Sequence, residues 1–158
     1  MVTPPVGSGA GDKSAITVPD TLPLVAGDGE PIFLRSTISF VYEDHPVFAK
    51  ERKVGTRQYA HTLSRSESLK PQLFSWEWSS AEPKYPHVHV MRSNPEYEGL
   101  GRLHVPTGRV YLEHVVAFLI HDYGVRPQRD DWEETIRESF RRVSSFSSWG
   151  GGQHDLDE

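Results

Sequence analysis

The chain contains no cysteine. That absence removes disulfides and thiolate metal sites together, and it suits a reducing compartment, so a cytoplasmic protein is expected. No apolar run approaches the roughly 18–20 residues that span a bilayer, so no membrane partner is expected. The opening stretch, Met1 to Gly11, has neither a basic region nor an apolar core and does not read as a secretion signal. Hydrophobic residues are also scarce, at 36% of 158, a share that leaves part of the chain outside any packed core. The length suits one domain. There is no internal repeat. There is also no Gly-rich phosphate loop (Gly99-Leu100-Gly101 lacks the spacing and the lysine), no His-Glu-x-x-His and no nucleophile elbow. The helices follow strands and are not basic, which disfavours a helix-turn-helix DNA reader.

What is present is unevenly distributed. The net charge is -5, yet Glu30 to Phe146 holds 16 basic and 16 acidic residues, so the acidic excess lies toward the ends. Lys50 to Arg109 carries 10 basic against 6 acidic residues, with His61, His87, His89 and His104 added. A basic, histidine-rich middle suits either an anionic partner such as RNA or a solvated mixed-charge surface. Residues 1–28, rich in Gly, Pro, Ser and Ala, are expected to be a disordered leader. Residues 29–146 form the expected single α+β domain, and residues 147–158 a flexible acidic tail.

Within the domain the periodicity is first two-fold, then helical. Ile32 to Tyr42, Thr56 to Leu63, Gln72 to Trp78 and Tyr85 to Met91 alternate as half-buried strands, with a short fifth expected over Arg102 to Val105. Leu112 to Ile120 is an apolar helix ended at Gly124, and a second helix over Asp130 to Val143 carries the stripe Trp132, Ile136, Phe140 and Val143. The expectation is an antiparallel four- or five-stranded meander followed by two helices packed on one face, the first helix lying between sheet and second helix. Trp76 and Trp78 share a strand face and suit a core covered by helices better than a stacking platform for bases. His61, flanked on its face by Tyr59 and Leu63, reads as buried. His114 and His121, two helical turns apart, read as one edge of the first helix. Neither they nor His45 and His154 are assigned a function.

The segment Tyr85-Pro86-His87-Val88-His89-Val90 carries the chemistry. On a strand His87 and His89 project together while Val88 and Val90 face the core. Arg102 and His104 are likewise two apart, Arg109 lies in the next turn, and Glu77 joins the group if the parity of its strand matches. Histidine and glutamate suit acid–base work on a phosphodiester, and arginine suits the phosphate. This inventory assigns catalysis to His87, His89, His104 and Glu113 and substrate binding to Arg102 and Arg109, with no metal ligand and no cofactor.

Two resemblances bear on this reading. The runs Val54-Gly55-Thr56-Arg57-Gln58-Tyr59, Phe74-Ser75-Trp76-Glu77-Trp78, Tyr85-Pro86-His87-Val88-His89-Val90 and Leu103-His104-Val105-Pro106-Thr107-Gly108-Arg109 resemble an actinobacterial domain family of unknown function. That resemblance implies that residues 39 to about 146 are one unit. Trp76-Glu77-Trp78, Pro86-His87-Val88-His89 and the helix after Leu112 are similar to the TumE-type toxins of bacterial toxin–antitoxin pairs. In this chain Ser79-Ser80-Ala81-Glu82-Pro83 stands where an Asp-Asn-Ala-Pro-His-His type of run is expected. The second resemblance implies a small toxin-like, RNA-directed protein, acting as a metal-independent ribonuclease, with a cognate antitoxin or regulator as partner. The alternative is a non-enzymatic interaction or regulatory (antitoxin-like) module. A third reading is a metal-dependent hydrolase, in which His87, His89 and His104 supply three ligands and Glu113 a carboxylate.

Overall fold

The computed structural model describes residues 13–17, 21–44, 52–80 and 83–145, and of these only the backbone at 13–17, 42–44, 52–54 and 145. Seven antiparallel strands are followed by helices: β1 (Lys13–Thr17), β2 (Leu22–Val25), β3 (Pro31–Asp44), β4 (Arg52–Ser64), β5 (Gln72–Ser79), β6 (His87–Val90) and β7 (Val105–Pro106). A 3-10 turn (Pro95–Tyr97) and the four-residue α1 (Glu98–Gly101) separate β6 from β7, and α2 (Leu112–His121) and α3 (Trp132–Ser145) close the chain's described part. From β3 to β7 each strand pairs with the next in sequence. Both β1 and β2 pair with the outer edge of β3, β1 along Thr37 to Val41 and β2 along Pro31 to Leu34, so seven strands fill six positions.

The α+β meander-then-helices expectation holds, with more strands than the four or five anticipated. The additional ones lie inside the stretch assigned to a disordered leader, which is corrected over β1 and β2. Backbone pairing to an open strand edge asks little of side chains, so a Gly- and Pro-rich composition conceals it. Ala26, 4% exposed, even joins the core. The expected fifth strand is also corrected: residues 102–104 follow α1 as loop, and only Val105–Pro106 pairs, opposite Val88 and His87. The tail at 147–158, His45 and His154 lie outside the described residues.

Register assigns each residue to a face. Leu34 opposes Leu63, which opposes Phe74; Ser36 opposes His61, which opposes Trp76; Trp76 opposes Val88. Directly opposed residues project to the same side of an antiparallel pair, so these form one face, and α2 covers it. Val115 and Leu119 of α2 pack with Ala26, Ile32, Leu34 and Leu63 in one buried cluster. Phe118 stands edge-on to both Phe74 and Trp76 at 5.4 and 5.5 Å. Trp76 and Trp78 are therefore core residues. Gly124 ends α2 in the left-handed region (φ +64°), where the absent Cβ also lets Gly27 pass against it.

The outermost layer is α3, packed on α2. His121 meets Trp132 and His114 meets Phe140, ring centroids 5.2 and 4.8 Å apart. Val143, expected in the apolar stripe, is instead exposed. His61 is fully buried, its Nδ1 2.8 Å from the Ser36 hydroxyl and its ring stacked on Tyr59. Among the described residues no helix is long and apolar enough to cross a membrane.

Candidate metal centre

The face opposite α2 is polar. Thr62 opposes Ser75, which opposes His89; Ala60 opposes Glu77, which opposes His87. The parity of β5 therefore does bring Glu77 to the histidine face. Its Oε1 accepts a 2.6 Å hydrogen bond from the Ser75 hydroxyl and a 2.7 Å charged one from Arg92. The Ser75 hydroxyl in turn lies 3.1 Å from that of Thr62.

After β6 the chain reverses through Met91 and Ser93, both non-glycine residues in the left-handed region (φ 54° and 64°). The 3-10 turn and α1 then lie beside β6. Gly101 touches the backbone there, since a Cβ on it would stand 3.0 Å from the Arg92 Cα. This return delivers His104 onto the two strand histidines. The three imidazoles contact one another pairwise, with centroids 5.0, 4.7 and 4.6 Å apart. One ligand nitrogen from each lies within 4.8 Å of the others.

His87 and His89 are 4% and 3% exposed, whereas His104 is open to solvent, so the cluster has a closed floor and one open side. The His87 Nδ1 lies 3.0 Å from the Tyr85 carbonyl. A carbonyl only accepts, so Nδ1 carries a proton and the ring turns its Nε2 away from that carbonyl. His89 has a buried Nδ1 with no hydrogen-bond partner, an orphaned atom of the kind a ligand satisfies. Burial, and then the Arg92 charge, hold the His89 pKa below its ordinary value. Both causes favour the neutral ring, the form in which an imidazole binds a metal.

The other expected site residues lie elsewhere. Arg102 is exposed and pairs with Glu98 one turn back on α1. Arg109 donates to the Thr56 hydroxyl and lies over the Tyr111 ring. Glu113 accepts from Ser139, tying α2 to α3. The assignment of Glu113 to the histidine group is corrected, because position 113 falls on the helix layer across the sheet. Arg102, expected on a strand, lies in the turn after α1, and Arg109, expected in the turn before α2, is engaged by Thr56 and Tyr111. Arg92 and Ser75 were missed. Strand parity could have found Ser75, opposite His89, but no sequence signal marks the two left-handed residues that turn Arg92 back.

The concavity along α3, lined by Asp131, Thr135, Glu138 and Arg142 among others, shares no residue with this cluster. No family model, curated protein or solved structure matches the chain.

Proposed function

We propose that the protein is a metal-dependent hydrolase whose divalent ion is held by His87, His89 and His104. The observation that carries this reading is the meeting of three imidazoles with ligand atoms within 4.8 Å, two buried and one open. Zinc and its first-row neighbours take imidazole readily, and three protein ligands with one open position is the pattern of catalytic sites. Metal–nitrogen bonds of about 2.0–2.1 Å in a tetrahedron place nitrogens roughly 3.4 Å apart. Closing on an ion therefore asks an inward shift of under about 1 Å per ring. The Tyr85 carbonyl on His87 is the outer partner that fixes a ligand's tautomer.

Such an ion supplies a bound water of lowered pKa. Glu77, anchored through Oε1 and opposite His87 in register, would take the proton of the attacking water. A metal-independent ribonuclease is less well served. Its cations and carboxylate, Arg102, Arg109 and Glu113, are engaged with Glu98, Thr56 and Ser139. The lack of cysteine suits a cytoplasmic setting for a histidine-only centre.

Metal content and turnover of p-nitrophenyl esters test this reading. The expected result is about one divalent ion per chain and chelator-sensitive hydrolysis. The His87→Ala, His89→Ala variant should lose both while keeping its far-ultraviolet dichroism. A chain without metal or turnover would sink the proposal. Metal without turnover would leave a metal-held interaction module instead of an enzyme.

A further inference from the structure

Arg92 is a cation that meets the carboxylate of the histidine face. Its position is enforced from three directions. Met91 and Ser93 on either side hold left-handed conformations that side chains rarely adopt. Its own carbonyl accepts from the Gln72 backbone at 2.9 Å. Gly101 closes against its Cα so tightly that only glycine fits without displacement. Glu77 engages one terminal nitrogen, Nη1, and the side chain is still 42% exposed. The side chain thus stays partly open to solvent, and the planar fork of a guanidinium suits paired oxygens.

A fixed cation beside a hydrolytic centre selects for charge on the reacting atom itself. The carbonyl carbon of an ester or amide carries no anionic oxygen before attack, whereas a phosphodiester carries its charge on the phosphorus oxygens.

We infer that the centre takes a phosphodiester, with its anionic oxygens on the Arg92 guanidinium, an inference that rests on the hydrolase reading above. Water gives a proton to Glu77, and its oxygen forms the new bond to phosphorus. The bond from phosphorus to the leaving oxygen breaks, and that oxygen receives the proton, so the products are a phosphomonoester and an alcohol. Arg92 is a binding residue in this step, and Glu77 positions it as well as carrying the proton.

The zinc-loaded full chain would be assayed with bis(p-nitrophenyl) phosphate, p-nitrophenyl phosphate and p-nitrophenyl acetate. The wild type should prefer the diester. Arg92→Met should lower the diester-to-acetate ratio of kcat/KM by about 100-fold, the loss typical of removing one charge-stabilising donor. Arg92→Lys should recover part of that ratio, and metal content measured on each variant shows that the centre is intact. A metal-loaded wild type that prefers the acetate or the monoester, or an Arg92→Met variant with an unchanged ratio, would overturn the inference and leave the hydrolase reading standing. A chain that binds no metal would overturn both. A short oligoribonucleotide and a 2′,3′-cyclic nucleotide, run alongside, separate polymeric from small diesters, and cleavage of either upholds the assignment.

Discussion

His61 and His89 sit on opposite faces of one sheet and meet the same penalty, since burial disfavours a charged ring. For His61 burial is the largest cause, the His114 charge adds to it, and the Val110 backbone opposes both, leaving a pKa of about 4 against 6.5 for an exposed ring. Between those values the unfolded chain binds a proton that the folded chain refuses. Stability is therefore full above pH 6.5, falls as pH drops through the window, and levels off below about 4. The difference corresponds to about 3 kcal/mol. Urea midpoints of the wild type should fall between pH 7 and pH 4 by more than those of His61→Phe, which has no ring to protonate. Equal slopes in the two would show that His61 does not carry this dependence. The same substitution leaves the buried Ser36 hydroxyl without its 2.8 Å partner, so the variant should also be less stable at neutral pH, by about 1–3 kcal/mol.

At the scale of elements, α2 joins the sheet's covered face to α3. Leu119, 2% exposed, packs into the cluster with Ile32, Leu34 and Leu63. Leu119→Ala should cost about 2–5 kcal/mol by chemical denaturation, and a cost under about 1 kcal/mol would mean that α2 is not seated as described. The helices and central strands were legible because their apolar side chains are one-sided: Phe74, Trp76 and Trp78 alternate with Ser75 and Glu77, and Trp132, Ile136 and Phe140 recur at helical spacing. Alternation also brought His87 and His89 together. It failed at residues 102–104, where a loop after the short helix α1 replaces a strand, so Arg102 turns to Glu98 while His104 reaches the cluster. Glu113 was grouped with the histidines by residue type alone, and sequence proximity to Arg109 says nothing about which side of the sheet a helix covers. Strands β1 and β2 were hidden since their pairing is a property of β3's edge and not of their own composition.

For the whole molecule, the sheet separates two tasks. One face is spent on α2 and the core, which frees the other to carry the polar line Thr62, Ser75, Glu77, His89 and His87 toward His104. A ligand that binds the folded chain alone stabilises it by mass action, by about 2.7 kcal/mol at a hundredfold excess over Kd, so an ion held at this centre couples the polar face to global stability. X-ray absorption at the zinc edge of the purified, zinc-loaded chain tests the central claim most directly. Three imidazole nitrogens at about 2.0–2.1 Å with a remaining light-atom ligand, reduced to a weaker or absent site in His87→Ala, His89→Ala, is the expected spectrum. Zinc that fails to bind, or that binds through a shell without histidine, would contradict the account.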